Sequence, residues 1–134
     1  MGIHDSRILS YTVNFNKKTL LLRLLDNQEH CHEVNFFGVL THSFENILLS
    51  NIVFDIEESS IENFFEENEQ LILKGQQYCW PVEFNDGTDL ICILSKKKLR
   101  YYKIYSSFGL DGWILCEGYS EIYSINHTND CLGN

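Results

Sequence analysis

The alternation of apolar and polar residues predicts strands over much of the chain. Residues 9–15 alternate with a period of two, which gives a strand one buried face. A polar break at 16–18 separates this segment from a more apolar one at 19–25, and the two together predict a β-hairpin. The same reasoning predicts further strands at 31–37, 51–56, 101–105 and 113–116, with 119–124 either extending the last strand or adding another.

Two segments have the longer period of an amphipathic helix. Leu40, Phe44, Ile47 and Leu48 lie on one stripe and predict a short helix after Gly38. A longer helix is predicted to begin at the capping-box pair Ser59 and Glu62 and to end near Gly75.

The segment 84–98 fits two structures. Asn85, Asp86 and Gly87 are typical of a hairpin turn, whereas the apolar positions at 90, 91 and 94 fit a helix. The three lysines at 96–98 suit the negative end of a helix dipole, so the helix is favoured.

This order of elements predicts an α+β fold. Three strands, then helices, then further strands indicate a curved antiparallel sheet of about six strands with two or three helices packed on one face. We expect one domain over residues 1–125 and a polar tail over 126–134.

Composition and charge exclude several classes of protein. The chain has 134 residues, of which 44% are hydrophobic, and a formal net charge of −9, so it is neither disordered nor a basic nucleic-acid binder. Its one basic patch, residues 96–103, is too short to indicate nucleic-acid binding. Neither a secretory signal nor an apolar run of about 20 residues is present, so we expect a cytoplasmic protein that does not enter the membrane.

The cysteine and histidine spacings indicate neither a disulfide framework nor a metal site. The five cysteines are odd in number and irregularly spaced, and those at 79, 92 and 116 have apolar neighbours that make a thiol inert. His30, Cys31 and His32 cluster, with His42 as a further candidate ligand, but a strand would turn Cys31 away from both histidines. We therefore expect no metal and no cofactor.

Acid–base chemistry has one candidate pair. On the predicted helix, His42 and Glu45 are three residues apart and within reach of each other, and His4 is a third candidate in such a pocket. The nucleophile elbow and the glycine-rich phosphate loop are both missing from the sequence. The sequence thus predicts a protein that is not an enzyme, with a small-molecule-binding or hydrolytic domain using a His42/Glu45 pocket as the alternative.

Negative charge is concentrated in one part of the chain. Residues 24–73 contain 11 Asp or Glu and not one Lys or Arg. Like charges four residues apart on a helix repel, so such a run is either a device for solubility or a surface that attracts a basic partner. The candidate contact residues are the carboxylates Asp55, Glu57, Glu58, Glu62, Glu66, Glu67 and Glu69. Candidate apolar anchors, if not core residues, are Tyr101, Tyr105 and Phe108.

Several segments resemble small bacterial proteins that are encoded beside polymorphic toxins. They are HDSRI at 4–8, FGVLTHSFEN at 37–46, NIVFDIEE at 51–58 and SSFGLDGW at 106–113. Similar chains include immunity proteins of contact-dependent growth inhibition systems. The resemblance implies a cytoplasmic immunity protein that binds the C-terminal domain of one cognate toxin, often a nuclease, and blocks its active site. It supplies no functional residues, so the acidic contact surface is inferred from charge alone. A subunit whose acidic face meets a neighbour in a fixed complex is a further alternative.

Overall fold

The computed structural model describes residues 5–70 and 87–124. These residues form a mostly antiparallel sheet with two helices, which confirms the predicted α+β class. In chain order the elements are β1 (Ser6–Asn14), β2 (Thr19–Leu25), β3 (Cys31–Phe37), β4 (Thr41–Glu45), β5 (Ile52–Ser59), α1 (Ile61–Glu67), α2 (Gly87–Lys96), β6 (Arg100–Phe108), β7 (Asp111–Cys116) and β8 (Gly118–Ser124). The sheet has eight strands, so the predicted count of about six is wrong.

The eight strands lie in the order β4-β7-β6-β5-β1-β2-β3-β8, and each neighbouring pair is antiparallel. β4 follows β3 after a short break, and β8 follows β7 in the same way. β3 pairs with β8 and β4 pairs with β7. The segment formed by β3 and β4 therefore runs antiparallel to the segment formed by β7 and β8. This continuity bends the sheet and brings its two ends toward each other.

The missed strand is β4, where the sequence predicts a helix over 40–48. Leu40 and Phe44 are four residues apart, so they also satisfy a helical stripe. In the structure Phe44 pairs with Gly112 across the sheet, and Ile47 and Leu48 lie in an exposed loop rather than on a buried helix face. The apolar residues at 40–48 therefore have the spacing of a helix, although they belong to a strand and the loop that follows it. The predicted helix over 40–48 is wrong.

The main core fills the inner face of the bent sheet. Strands β1, β2, β3, β5, β6 and β7 all contribute to it. Leu20, Leu22 and Leu24 of β2 are fully buried there, as the alternation of the sequence requires. Phe36 packs near Tyr102, with ring centroids 5.9 Å apart. Burying these side chains supplies most of the hydrophobic stabilisation of the sheet.

Both helices belong to a second cluster on the outer face of β6 and β7. Phe64 of α1 is fully buried and meets the rings of Tyr101 and Trp113 edge to face at 5.2 Å and 4.9 Å. Leu94 of α2 and Leu115 of β7 belong to the same cluster. Both helices thus pack on the outer face of the sheet. Alternate residues of β6 point to opposite faces, so Tyr101 belongs to the second cluster and Tyr102 to the main core.

The two helices differ in how well the sequence locates them. α1 begins one residue later than the predicted capping box, because Ser60 accepts the hydrogen bond from the backbone N–H of Asn63 while Ser59 ends β5. Asn68 caps its end. The helix favoured within 84–98 is confirmed as α2. The predicted stop at Gly75 and the tail over 126–134 lie outside the described residues.

Candidate functional site

Carboxylates meet on the outer face of β4, β7, β6 and β5, beside the end of α1. Glu45 lies directly opposite Asp111, and Asp55 lies opposite Tyr105. Glu45, Asp111, Tyr105 and Glu67 line one groove of about 320 Å³. Glu57 lies opposite Lys103, which lines the same groove, and cross-strand partners share a face. We call the surface formed by these carboxylates the acidic groove: Glu45, Asp55, Glu57, Glu67 and Asp111.

Glu45 and Asp111 are a like-charge pair on adjacent strands. Such a pair destabilises a sheet, because the two side chains lie only about 5 Å apart. The Asn46 side-chain amide donates a hydrogen bond to Asp111 at 3.4 Å. Within residues 5–70 and 87–124, no ion pair neutralises either carboxylate. This part of the acidic groove therefore keeps its negative charge at a cost to stability.

Glu67, at the end of α1, forms an ion pair with Lys103 in the groove. The Lys103 ammonium lies 2.8 Å from one oxygen and the Tyr101 hydroxyl donates to the other at 2.9 Å. The hydrogen bond from Lys103 lowers the pKa of Glu67, and the same contact raises the pKa of Lys103. Burial, together with the bond to Glu67, raises the pKa of Tyr101 to about 12. Glu67 therefore stays ionised and fixes the end of α1 on the sheet.

The other predicted contact residues lie outside the groove. Glu58 pairs with Arg100 at 3.3 Å, with both side chains about half exposed. Glu62 and Glu66 are exposed on α1, and Glu69 lies beyond the end of that helix. Asp55 and Glu57 thus lie on the outer face of β5, and Glu67 lines the groove at the end of α1. The remaining four carboxylates lie on β5, on α1 or just beyond α1.

Two residues of the groove were missed by the sequence reasoning. Glu45 and Asp111 are far apart in the chain and meet only because β4 pairs with β7. Because a helix was predicted over 40–48, no strand was expected at Glu45 that could pair with β7. Of the three candidate anchors, Tyr101 is a core residue, while Tyr105 and Phe108 are 37% and 51% exposed.

The proposed His42/Glu45 pair does not form. Positions three apart on a strand point to opposite faces, so His42 and Glu45 line different cavities. The cavity at His42 has a volume of about 640 Å³ and is also lined by Lys18, Lys97 and Glu117. Burial lowers the pKa of His42. His4, the third candidate, lies outside the described residues.

His32 is buried between two carboxylates, a cluster that the sequence did not indicate. Its Nε2 lies 2.9 Å from Asp26 and its Nδ1 lies 3.1 Å from Glu121 of β8. Burial raises the pKa of Asp26, but the hydrogen bonds from His32 and from the backbone N–H groups of His30 and Gln28 lower it overall. The cluster ties the β2–β3 turn to β8, so its role is structural.

The cysteines depart from the sequence expectation. Cys31 forms a disulfide bond, which the spacing of the cysteines did not indicate. An odd count and irregular spacing do not reveal which side chains the fold brings together. Cys92 is exposed despite its apolar neighbours, because adjacent residues of a helix point in different directions. Burial raises the pKa of Cys116 to about 12, as expected for an inert thiol.

The described residues contain no group of three or more His, Cys, Asp or Glu side chains that could hold a metal ion. Nor does that part of the chain contain a helix that is long and apolar enough to cross a membrane.

Comparison with known proteins finds no matching family model and no matching curated protein.

Proposed function

We propose that the chain is an immunity protein that binds and neutralises a cognate bacterial toxin domain. The partner is a basic nuclease domain, and the acidic groove with the carboxylates around α1 covers its substrate cleft. The observation that carries the proposal is the Glu45–Asp111 pair, in which two carboxylates lie opposite each other and neither forms an ion pair within the described residues. Such a cost is expected where a surface is shaped for a partner rather than for stability.

The physical basis is charge complementarity. A nuclease cleft is lined with cations that hold phosphates, and carboxylates can occupy the same positions. The negative potential of the groove speeds encounter with such a cleft and selects against acidic partners. An inhibitor of this kind needs no catalytic residue, cofactor or bound nucleic acid.

The alternative of a small-molecule-binding or hydrolytic domain loses the feature on which it depended. His42 and Glu45 line separate cavities, so they cannot act together on one molecule. The binding proposal is therefore the one that the geometry of the described residues supports better.

Neutralisation is tested by co-expression in bacteria. The probe is the C-terminal domain of an exported protein encoded directly beside this chain, induced with and without the chain. We expect the domain alone to stop growth and the chain to restore it. Unrestored growth despite soluble expression of both proteins, or a neighbouring gene of ordinary metabolism, would contradict the proposal.

Reversing the charge of the Glu45–Asp111 pair is expected to slow association with that domain. We expect the double variant Glu45→Lys, Asp111→Lys to associate about tenfold more slowly at low salt, with a weaker dependence on ionic strength. Stopped-flow or surface-based kinetics at several salt concentrations measure both quantities.

The matched control is Glu33→Lys, Glu117→Lys, which changes the net charge equally at positions outside the groove. An equal loss of rate in both variants would show that net charge, and not the groove, governs association.

The neutral variant Glu45→Gln, Asp111→Asn adds a second readout. It should slow association and raise the free energy of unfolding by about 0.5 kcal/mol, because the repulsion is removed.

We propose that the protein acts in the cytoplasm, where a nuclease toxin meets nucleic acid. That compartment keeps thiols reduced, so the Cys31 disulfide should be open there. Cys31 lies on β3, whereas the acidic groove is formed by β4 to β7 and α1. Binding of the toxin domain should therefore be the same with and without dithiothreitol.

A further inference from the structure

Consecutive aliphatic side chains are exposed in the loop between β4 and β5. Leu49 is fully exposed, and Ile47 and Leu48 are each about half exposed, at 49% and 50%. Phe108, at the end of β6, is 51% exposed and pairs in register with Ile52, where β5 begins after the loop. We call these four side chains the apolar tip: Ile47, Leu48, Leu49 and Phe108. A run of three exposed aliphatic residues is unfavourable in water unless a partner covers it.

The backbone that presents the apolar tip is fixed. The Asn51 side-chain oxygen accepts hydrogen bonds from the backbone N–H groups of Leu48, at 2.9 Å, and Leu110, at 2.7 Å. Its amide donates to the Leu48 carbonyl at 2.8 Å. Gly109 lies against Asn51 with a φ of +83°, in a space where a Cβ atom would overlap the Asn51 side chain. The backbone at Leu48 is thus fixed before binding, which lowers the entropic cost of burying the tip.

The apolar tip adjoins the acidic groove. Glu45 ends β4 immediately before the loop, and Asn46 of the loop hydrogen-bonds Asp111. Apolar side chains beside uncompensated carboxylates match a partner with an apolar pocket bordered by Arg and Lys. A second copy of this chain is a poor match, because a two-fold contact between tips would bring both Glu45–Asp111 pairs together in a chain of net charge −9.

We infer that the apolar tip is the anchor by which the chain holds the basic toxin domain, with Leu49 inserted into an apolar pocket bordered by cations. This inference rests on the proposed function and adds the chemistry of the contact. The acidic groove determines how fast the two proteins meet, and the apolar tip determines how slowly they separate. The division follows from physics, since charge acts at a distance whereas apolar burial acts only in contact.

The test is the dissociation rate of the Leu49→Ser variant from the toxin domain encoded beside this chain. Leu49 is fully exposed, so the substitution leaves the core of the fold intact. We expect dissociation to accelerate about 30-fold, the size of a hot-spot loss, with an association rate within about twofold of the original. The matched control is Ile122→Ser, at an exposed apolar position of β8, and it should leave both rates unchanged.

The outcomes separate this inference from the proposed function. If Leu49→Ser dissociates like the original chain while Glu45→Lys, Asp111→Lys associates slowly, the apolar tip is not an anchor and the proposed function stands. If Ile122→Ser has the same effect as Leu49→Ser, the effect is not specific to the tip and the inference fails. If the original chain does not bind the domain, both fail.

Self-association is checked in the same series. The chain alone should sediment as a monomer at micromolar concentration. A dimer that Leu49→Ser converts to a monomer, with toxin binding unchanged, would assign the apolar tip to a second copy and overturn the inference.

Discussion

Replacing Gly112 by Ala is expected to destabilise the protein by at least about 3 kcal/mol. Gly112 has a φ of +154°, a backbone conformation that residues with a side chain rarely adopt. It lies within β7, opposite Phe44 of β4 and Ile104 of β6. A Cβ atom at this position would overlap the carbonyl oxygen of Ser43, which cannot move without opening the β4–β7 pairing.

Thermal or urea unfolding followed by circular dichroism measures this change. For a domain of this size the melting temperature should fall by about 10 °C. The control is Gly118→Ala, because Gly118 lacks a positive φ and its added Cβ atom would meet the tip of the Phe37 ring, which is partly exposed and free to shift. Equal stability of the Gly112→Ala and Gly118→Ala variants would contradict the described register of β4 and β7.

Replacing His32 by Gln is expected to cost about 3 kcal/mol of unfolding free energy. His32 is buried and has a carboxylate at each ring nitrogen, Asp26 at 2.9 Å and Glu121 at 3.1 Å. The imidazole ring places one nitrogen at each carboxylate. Gln has a single amide group that cannot reach both carboxylates, so at least one of these largely buried groups loses its hydrogen-bond partner.

His42→Gln is the matched control, because His42 is only half-buried and its described contact is with the Phe44 ring. Its loss should cost less than about 1 kcal/mol. A His32→Gln variant as stable as His42→Gln would show that the cluster does not join the β2–β3 turn to β8.

Asp26 gives the same cluster a defined pH dependence. Its pKa in the folded protein is lowered below the ordinary value of 3.8, so its stabilising contribution is complete above that value and is lost as the pH falls through the folded pKa. The Asp26→Asn variant lacks this contribution at neutral pH. The stability difference between the original chain and Asp26→Asn should therefore be largest near neutral pH and should shrink in strong acid. Urea unfolding across this range measures the difference.

Strand β2 was predictable because one of its faces is fully buried. Leu20, Leu22 and Leu24 alternate with less buried residues, and a period of two has no other simple interpretation. β4 was not predictable in this way. Its apolar residues are few, and the tip residues that follow in the loop completed a false helical stripe. Local periodicity is decisive only where one side of an element is clearly buried.

The acidic groove was predictable in part. Asp55, Glu57 and Glu67 emerged from the absence of Lys and Arg over residues 24–73. Glu45 and Asp111 join them through the register of β4 and β7, and pairing between distant strands is not encoded in local sequence. The His32 cluster and the Cys31 disulfide depend on non-local contacts in the same way, so spacing along the chain did not indicate them.

The central claim is that the acidic groove and the apolar tip contact a basic toxin domain. Hydrogen–deuterium exchange of the chain, free and mixed with the proposed toxin domain, tests this claim most directly. We predict slower exchange on binding in residues 45–50, 55–67 and 105–112, and unchanged exchange in β8. Unchanged exchange in the first three segments, or protection confined to β8, would contradict the account.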